Sequence, residues 1–318
     1  MHKTILVRKT TAHGLPSSEC AEQLRERLDE WDVVTPETKA EEREHLPTAA
    51  IVVGGNLTPD ELATAENLRL FACSSAGAGH LDLDAFREHG VAVTNASGVH
   101  GPNIAEHVLG WLLVFTRRLD EGIRRQQRRE WRHFQAAGEL QGSRICVVGL
   151  GAIGQTLLER LSGFALETVG VRYTPEKGGP TDEVYGYEDI EAALVGVDYL
   201  VLACPLSDAT RGLVGAAELE QLPPDAVLVN VGRGGLVETD ALVTALRRNR
   251  IRGAALDVTD PEPLPEDHPL WGFENVLITP HNAGHTPHYW ERVAEILVEN
   301  IETVERSGEY DELENQVA

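Results

Sequence analysis

The feature that most constrains the fold of this 318-residue chain is a glycine-rich turn between an apolar run and a helical pattern. Gly149, Gly151 and Gly154 form a GxGxxG motif that follows RICVV and precedes QTLLERLSGF. In a dinucleotide-binding βαβ unit, these glycines allow a tight turn, close approach of a pyrophosphate, and close packing of helix on strand. The motif therefore predicts a dinucleotide site, with Ala152 and Ile153 in the same turn.

Short apolar runs alternate with helical patterns on both sides of this motif. Such runs, rich in β-branched residues, are typical of buried parallel strands, and their alternation with helices indicates βαβ units. We predict strands at residues 3–8, 31–34, 49–55, 68–75 and 91–95, and again at 144–149, 167–172, 199–204, 226–231, 253–258 and 275–280. The two series predict an α/β fold of two Rossmann-like domains with a cleft between them.

Amphipathic patterns predict helices between these strands. We predict them at residues 17–31, 81–90, 103–130 and 286–307. Cys20, Leu24 and Leu28 share one face of the first helix, and Ser17 and Ser18 are its candidate N-caps. The helix at 103–130 ends in an arginine-rich stretch, as helix C-termini favour. We expect this stretch to be a solvated or intersubunit face.

The charge of the chain excludes several classes of partner. The formal net charge is −23, from 51 acidic and 28 basic side chains. Nucleic-acid binding needs a basic footprint, and an acidic surface is repelled by anionic membranes, so we expect neither partner. Only four of the basic residues are lysines. This composition resembles that of proteins from extreme halophiles, and we interpret it as adaptation to a salty cytosol.

The sequence contains no signal for export or membrane insertion. No run of about 18 apolar residues is present, and the N-terminus lacks the apolar core and cleavage site of a signal peptide. We therefore expect a cytoplasmic protein. Cys20, Cys73, Cys146 and Cys204 lack metal-ligand spacing, and we expect buried, reduced thiols.

The residue at the end of the strand after the glycine-rich turn selects the dinucleotide. NAD sites usually have an acid there, which bonds the ribose 2′-hydroxyl. This chain has Arg172, followed by the hydroxyl groups of Tyr173 and Thr174, with Lys177 near in sequence. Arginine can bind a 2′-phosphate through two parallel hydrogen bonds. We predict a preference for NADP(H), and NAD(H) is the alternative if Arg172 only stacks on the adenine.

Three further motifs carry the groups that reduction of a 2-keto acid needs. They are VNVGRGG with Arg233, LDVTDPEPLPEDHP with Asp257 and Glu262, and TPHNAGH with His281. Arginine can bind the substrate carboxylate and polarise the neighbouring carbonyl. Hydride transfer leaves an alkoxide, for which a histidine oriented by a carboxylate is the natural proton donor. No helix aligns the later histidines of this region with His281, so we expect no metal site.

Together with the glycine-rich turn, these motifs resemble the D-isomer-specific 2-hydroxyacid dehydrogenase family along nearly the whole chain. The resemblance implies Arg233 as carboxylate anchor and carbonyl polariser, His281 as proton donor and acceptor, and Glu262 as its partner. It implies reversible reduction of a small 2-keto acid to a D-2-hydroxy acid. It also implies a flavodoxin-like substrate domain at residues 1–100 plus 286–318, a dinucleotide-binding domain at 101–285, and a homodimer.

The resemblance further implies contacts to the cofactor and the substrate. Asp257 is placed to contact the nicotinamide carboxamide. The backbone N–H groups of Ala76 and Gly77 are placed to bind the substrate carboxylate, and Tyr289 or Trp290 could set specificity. The remaining implied cofactor-binding positions are Cys204, Pro205, Thr210, Val231, Gly232, Ala283 and Gly284, and the resemblance implies that Arg233 and His281 contact the cofactor as well as the substrate.

The sequence departs from the family pattern at two positions, and it leaves alternative functions to be considered. Ser207 and Asn282 differ from the family pattern, but neither removes a reacting group. A formate dehydrogenase is disfavoured because the acid before proline is intact at Glu262. A long-type phosphoglycerate dehydrogenase is disfavoured because we expect no C-terminal regulatory domain. A dinucleotide-sensing binding protein of the same fold is the alternative from another class, and the Arg–Glu–His set argues for turnover instead.

The acidic composition predicts that salt stabilises the fold. Like charges repel one another on a compact surface, and the Debye length falls from about 30 Å at 0.01 M to about 3 Å at 1 M salt. We expect the free energy of unfolding, measured by urea titration, to rise between low and molar potassium chloride. Equal stability under both conditions would contradict the halophilic interpretation.

Overall fold

The chain divides into two compact units, each with its own parallel sheet. The structure is a computed structural model that describes residues 3–133 and 137–318. One unit comprises Met1–His100 with His285–Ala318, and the other comprises Gly101–Gly284. Helices and parallel strands alternate in both units, so the predicted α/β class is confirmed.

The strands occupy the apolar runs of the sequence. They are β1 (Thr4–Val7), β2 (Thr11–Ala12), β3 (Leu15–Pro16), β4 (Asp32–Val34), β5 (Ile51–Gly54), β6 (Leu70–Cys73), β7 (Ala92–Asn95), β8 (Arg144–Val148), β9 (Glu167–Val171), β10 (Glu183–Tyr185), β11 (Tyr199–Leu202), β12 (Val227–Asn230), β13 (Gly253–Leu256) and β14 (Val276–Ile278). Each predicted strand is present. The sequence analysis missed β2, β3 and β10, because they are two or three residues long and only partly buried.

The two sheets have different strand orders. In the first unit the order of the 5-stranded sheet is β4-β1-β5-β6-β7, and β2 pairs separately with β3. This is the doubly wound order of flavodoxin-like folds. In the second unit the order of the 7-stranded sheet is β10-β9-β8-β11-β12-β13-β14. There the order reverses between β8 and β11, and ligands bind such sheets beyond the carboxyl ends of the strands at this point.

The helices cover both faces of each sheet. They are α1 (Ser18–Arg27), α2 (Lys39–His45), α3 (Pro59–Thr64), α4 (Leu83–Glu88), α5 (Gly101–Arg117), α6 (Leu119–Gln127), α7 (Ala152–Leu161), α8 (Ile190–Ala193), α9 (Ala216–Gln221), α10 (Thr239–Arg247) and α11 (Tyr289–Ser307). In the first unit, α1 and α11 pack on one face of the sheet, and Trp290 is only 1% exposed there. In the second unit, α5 and α7 cover one face, and α8 to α10 cover the other.

The prediction of a single helix over 103–130 is wrong. Arg118 has a left-handed backbone, with φ of 53°, and separates α5 from α6. Helix α5 buries a broad apolar face that includes Trp111 and Leu112, whereas α6 buries no residue. The break carries no glycine or proline, so the local sequence gave no sign of it.

The structure also bears on the expected N-cap of α1 and on the expected state of the cysteines. Ser17 precedes α1, but its hydroxyl group donates to the carbonyl of Arg8 and makes no cap bond. Cys20 and the other three cysteines are free and buried, as expected. In the described part of the chain, no helix combines the length and the apolar character needed to span a membrane.

Candidate active site

Two of the three motif glycines are required by the fold itself. Gly149 has φ of 102°, and a Cβ atom on it would lie 2.6 Å from the backbone nitrogen of Cys204. A Cβ on Gly154 would lie 2.1 Å from the carbonyl oxygen of Gly149. A Cβ on Gly151 would meet nothing within 4 Å. Gly151 therefore borders open space, where a ligand can approach the backbone.

Helix α7 begins directly at this turn. Gly151 is its N-cap residue, so no capping side chain occupies the N–H groups of the first turn. Ala152 is exposed and Ile153 is partly buried. Free N–H groups and the positive end of the helix dipole favour phosphate groups. The turn therefore fits the pyrophosphate of a dinucleotide.

Arg172 directly follows β9, at the end of the strand, where the sequence predicts the residue that selects the cofactor. Its Nη1 atom donates a 2.7 Å hydrogen bond to the carbonyl oxygen of Gly178, beyond the turn Pro175–Lys177. Tyr173 is 78% exposed, and Thr174 is partly buried. A guanidinium carries five N–H donors, so the bond to Gly178 leaves donors for a further acceptor.

The loop after β11 presents uncharged groups beside the glycine-rich turn. Burial raises the pKa of the Cys204 thiol to about 11, and burial also raises the pKa of the neighbouring Tyr187 hydroxyl to about 12. Thr210 is 1% exposed, and its hydroxyl donates to the carbonyl of Pro205 at 2.7 Å and accepts from the N–H of Ser207 at 2.8 Å. Thr210 therefore closes this loop from within.

A buried asparagine fixes the backbone around Arg233, on the loop after β12. Asn230 is 1% exposed; it accepts from the N–H of Gly232 at 3.1 Å and donates to the carbonyl of Arg233 at 2.9 Å. The Arg233 side chain is exposed, and its Nη1 donates to the carbonyl of Gly232 at 2.6 Å. Val231 is buried beneath the loop. The sequence analysis missed Asn230, although a lone amide in an apolar strand was a usable signal.

The structure brings the predicted histidine–carboxylate pair together. His281 Nδ1 lies 2.6 Å from Glu262 Oε1, and the two side chains are 47% and 41% exposed. The pair joins the loop after β13 to the loop after β14. The flanking peptide bonds Asp260–Pro261 and Glu262–Pro263 are cis. An ionised carboxylate can only accept, so Nδ1 carries a proton and Nε2 is left to face a ligand.

The backbone at His281 is strained and is held by a buried carboxylate. His281 has φ of 55°, a left-handed conformation that costs roughly 1–2 kcal/mol for a side chain with a Cβ atom. Asp257, 3% exposed, accepts from the N–H of Asn282 at 2.8 Å and from the N–H of Ala283 at 2.9 Å. Bonds to a charged group contribute roughly 1.5–3 kcal/mol each, enough to offset the strain. Asn103 of α5 adds a 2.8 Å bond to the carbonyl of Ala283.

The predicted substrate loop belongs to the first unit, after β6. Ala76 and Gly77 are exposed, and within residues 3–133 and 137–318 no acceptor is found for their N–H groups. His80 anchors the loop through Nε2, 2.6 Å from the carbonyl oxygen of Gly55. Tyr289 donates its hydroxyl to the carbonyl of Ser74. Tyr289 and Trp290 are both buried, so neither side chain projects into solvent.

These features define a class of protein. A turn that fits phosphate groups lies at the switch point of a parallel sheet, and an arginine and a histidine–carboxylate pair lie on neighbouring loops. This is what an α/β dinucleotide-dependent oxidoreductase requires. Across the described residues, no group of three histidine, cysteine, aspartate or glutamate side chains is arranged to hold a metal ion.

Comparison with known proteins gives the family. Residues 109–283 match the family of D-isomer specific 2-hydroxyacid dehydrogenases, NAD binding domain. The chain is 33% identical over 296 residues to D-3-phosphoglycerate dehydrogenase of Methanocaldococcus jannaschii. The aligned region covers 92% of this chain and 56% of that enzyme. The chain is also 32% identical over 288 residues to glyoxylate reductase of Aeropyrum pernix. That aligned region covers 86% of this chain and 85% of the enzyme.

A solved structure agrees over the whole chain. The D-isomer specific 2-hydroxyacid dehydrogenase from Xanthobacter autotrophicus Py2, in complex with NADPH and MES, is 27% identical with a TM-score of 0.79. The match covers 100% of this chain and 98% of that one. The chain belongs to the D-isomer specific 2-hydroxyacid dehydrogenase family, a family of oxidoreductases.

Proposed function

We propose that this protein reversibly reduces a small 2-keto acid to the D-2-hydroxy acid with NADPH. The observation that carries the proposal is the 2.6 Å contact between His281 Nδ1 and Glu262 Oε1. This pair and Arg233 both follow strands of the sheet whose glycine-rich turn fits a dinucleotide. The bound dinucleotide supplies the hydride. Glyoxylate reductase of Aeropyrum pernix, which spans most of this chain, supports a small keto acid as substrate.

Arg233 binds the carboxylate of the substrate and polarises its carbonyl group. Its guanidinium is exposed and forms no ion pair among the described residues, so its charge is available to an anion. A charge-assisted hydrogen bond contributes roughly 1.5–3 kcal/mol. In the first unit, the exposed N–H groups of Ala76 and Gly77 are two further candidate donors to a substrate carboxylate.

His281 moves the proton. Its Nδ1–H donates to Glu262, which leaves Nε2 to donate a proton to the oxygen that becomes the hydroxyl group. In the oxidative direction the same nitrogen removes that proton. Glu262 accepts the Nδ1–H bond and holds the ring orientation without taking up the proton.

Several groups of the second unit line the proposed cofactor site. The N–H groups at the start of α7 would hold the pyrophosphate, and the uncharged Cys204–Pro205 loop would hold the adenosine half. A carboxylate offers about four lone-pair sites. Three donors already bind Asp257, at Oδ1 (Thr279 and Asn282) and at Oδ2 (Ala283). One site on Oδ2 is left for the nicotinamide carboxamide.

A panel of keto acids tests the proposed activity. Glyoxylate, pyruvate, hydroxypyruvate and 3-phosphohydroxypyruvate are offered with NADPH in molar salt, and loss of NADPH absorbance is followed. We expect turnover with at least one substrate, and a loss of about 10²-fold or more in kcat for His281→Ala, because the proton donor is gone. The Kd for NADPH is measured beside kcat, which separates loss of the proton donor from loss of a cofactor contact. Tight NADPH binding without turnover on any substrate would favour a dinucleotide sensor.

The preference for NADP(H) rests on Arg172. Its remaining N–H donors can bind a 2′-phosphate, and a charge-assisted bond of roughly 1.5–3 kcal/mol corresponds to about 10- to 150-fold in affinity. We expect Arg172→Asp to lower kcat/KM for NADPH by that factor and to raise it for NADH. Arg247→Asp, an exposed site on α10, is the control for the change in net charge. Unaltered use of NADPH in Arg172→Asp would contradict the proposed preference.

We further propose a homodimer formed through α6. Leu119 and Ile123 lie one helical turn apart and are 48% and 54% exposed, and nearby Trp131 is 102% exposed. The charges of the same helix are largely paired internally, as in Arg124–Asp120 and Arg125–Glu121. Exposed apolar side chains in so acidic a chain are better accommodated in contact with the same helix of a second copy than in water.

Sedimentation velocity tests the dimer. Ile123→Glu should convert a dimer to a monomer, because it brings a charge into an apolar contact. Val195→Glu, at another apolar position that is 60% exposed, should leave the dimer intact. A monomeric wild-type protein in molar salt would refute this proposal.

A further inference from the structure

A half-buried histidine on α5 lies behind the proposed catalytic loop and has no part in the mechanism above. His107 Nε2 lies 3.3 Å from the hydroxyl oxygen of Thr279, the first residue after β14. The His107 ring also packs edge-on against Trp111, with ring centroids 4.2 Å apart. Burial lowers the pKa of His107, and the charge of Asp257 acts in the opposite direction. The contact to Thr279 connects α5 to the edge of the sheet where His281 lies.

The direction of the hydrogen bonds can be worked out from the donors. The hydroxyl of Thr279 lies 2.5 Å from Asp257 Oδ1. An ionised carboxylate only accepts, so the single hydroxyl proton of Thr279 goes to Asp257. The Thr279 oxygen must then accept from His107, which fixes the proton of His107 on Nε2. His107, Thr279 and Asp257 therefore form a relay in which each donor points towards the carboxylate.

The relay ends on the backbone around His281. Asp257 Oδ1 also accepts from the N–H of Asn282, and Oδ2 accepts from the N–H of Ala283. The N–H of His281 donates to the carbonyl oxygen of Asp257 at 2.8 Å. These bonds hold a left-handed backbone that the sequence by itself disfavours, since a strained residue persists only where its surroundings determine its conformation. A shift of the Asp257 carboxylate would therefore move the His281 imidazole.

The geometry points to His107 and Thr279 as positioning residues for His281: their hydrogen bonds orient the Asp257 carboxylate, which in turn fixes the catalytic turn. Neither residue touches the reacting atoms. This inference rests on the proposed function, because it assigns His281 as the proton donor. The relay acts on the position of the imidazole, so it should govern kcat, whereas cofactor binding at the glycine-rich turn should be independent of it.

Paired variants separate the hydrogen bonds from packing. Thr279→Val keeps the shape of the side chain and removes the hydroxyl, whereas Thr279→Ser keeps the hydroxyl. We expect Thr279→Val to lower kcat by about 10- to 100-fold, since a displacement of about 1 Å can cost 10²-fold in rate. The Kd for NADPH should change far less than kcat, because the contacts at the glycine-rich turn are kept, and Thr279→Ser should recover most of the rate. If serine is no better than valine, the effect is one of packing and the relay is refuted.

A second pair tests His107 and its coupling to Thr279. His107→Leu removes the donor, whereas His107→Gln keeps an N–H donor near the position of Nε2 and should restore activity. If both residues act through one relay, the double variant His107→Leu/Thr279→Val should lose little more than either single variant. Fully additive losses, or wild-type kcat in both single variants, would overturn the inference.

A spectroscopic measurement keeps this inference separate from the proposed function. The imidazole Cε1–H resonance of His281, assigned by its loss in His281→Ala, is compared between wild type and Thr279→Val without substrate. We expect it to shift or broaden in Thr279→Val and to return towards its wild-type position in Thr279→Ser. An unchanged resonance would refute the relay, even if the enzyme reduces keto acids. Failure of the wild type to reduce any keto acid would refute only the proposed function.

Discussion

The binding of two backbone N–H groups by the buried carboxylate of Asp257 is the interaction on which the proposed chemistry depends. These groups, from Asn282 and Ala283, follow the one residue of the turn whose backbone is left-handed. Without a fixed acceptor, the chain at His281 would relax towards ordinary backbone angles, and the imidazole would leave Glu262. A carboxylate that is 3% exposed makes the arrangement rigid, because water cannot compete for its lone pairs.

The same principle recurs along the carboxyl edge of the seven-stranded sheet. Asn230 ties the loop that carries Arg233, and Thr210 closes the loop that begins at Cys204. Parallel strands bring these loops together although they are far apart in sequence. In each case a buried polar side chain satisfies backbone groups that the end of a strand leaves unpaired. The exposed functional groups thus stand on loops with little freedom to move.

The electrostatics of the chain bear on the roles proposed for Arg172 and Arg233. A protein with a net charge of −23 repels anionic ligands at long range, and salt screens that repulsion. Within the described residues, Arg172 and Arg233 bond to backbone carbonyls and form no ion pair. Their charges are therefore not neutralised by a neighbouring carboxylate, and they would supply local attraction where phosphate and carboxylate groups are proposed to bind.

Much of the fold could be predicted because it follows from short-range patterns. Apolar, β-branched runs located every strand of the two parallel sheets except β10. The GxGxxG motif located the turn after β8, since only glycine has space at Gly149 and Gly154. The break at Arg118 could not be predicted, because an arginine in a left-handed conformation leaves no mark in a helical pattern. The strands β2, β3 and β10 are too short and too exposed to show a period.

For the site, the sequence determined which chemical groups are present and the order in which they occur: the glycine-rich turn, Arg172, Arg233, Glu262 and His281. Their chemistry belongs to the side chains, so it can be read without a structure. Only the tertiary structure decided that Glu262 meets His281 at 2.6 Å, that Trp290 belongs to the core, and that Asn230, Thr279 and His107 support the loops. These roles depend on hydrogen bonds between residues from different strands and helices, and no local pattern in a sequence encodes the distance between them.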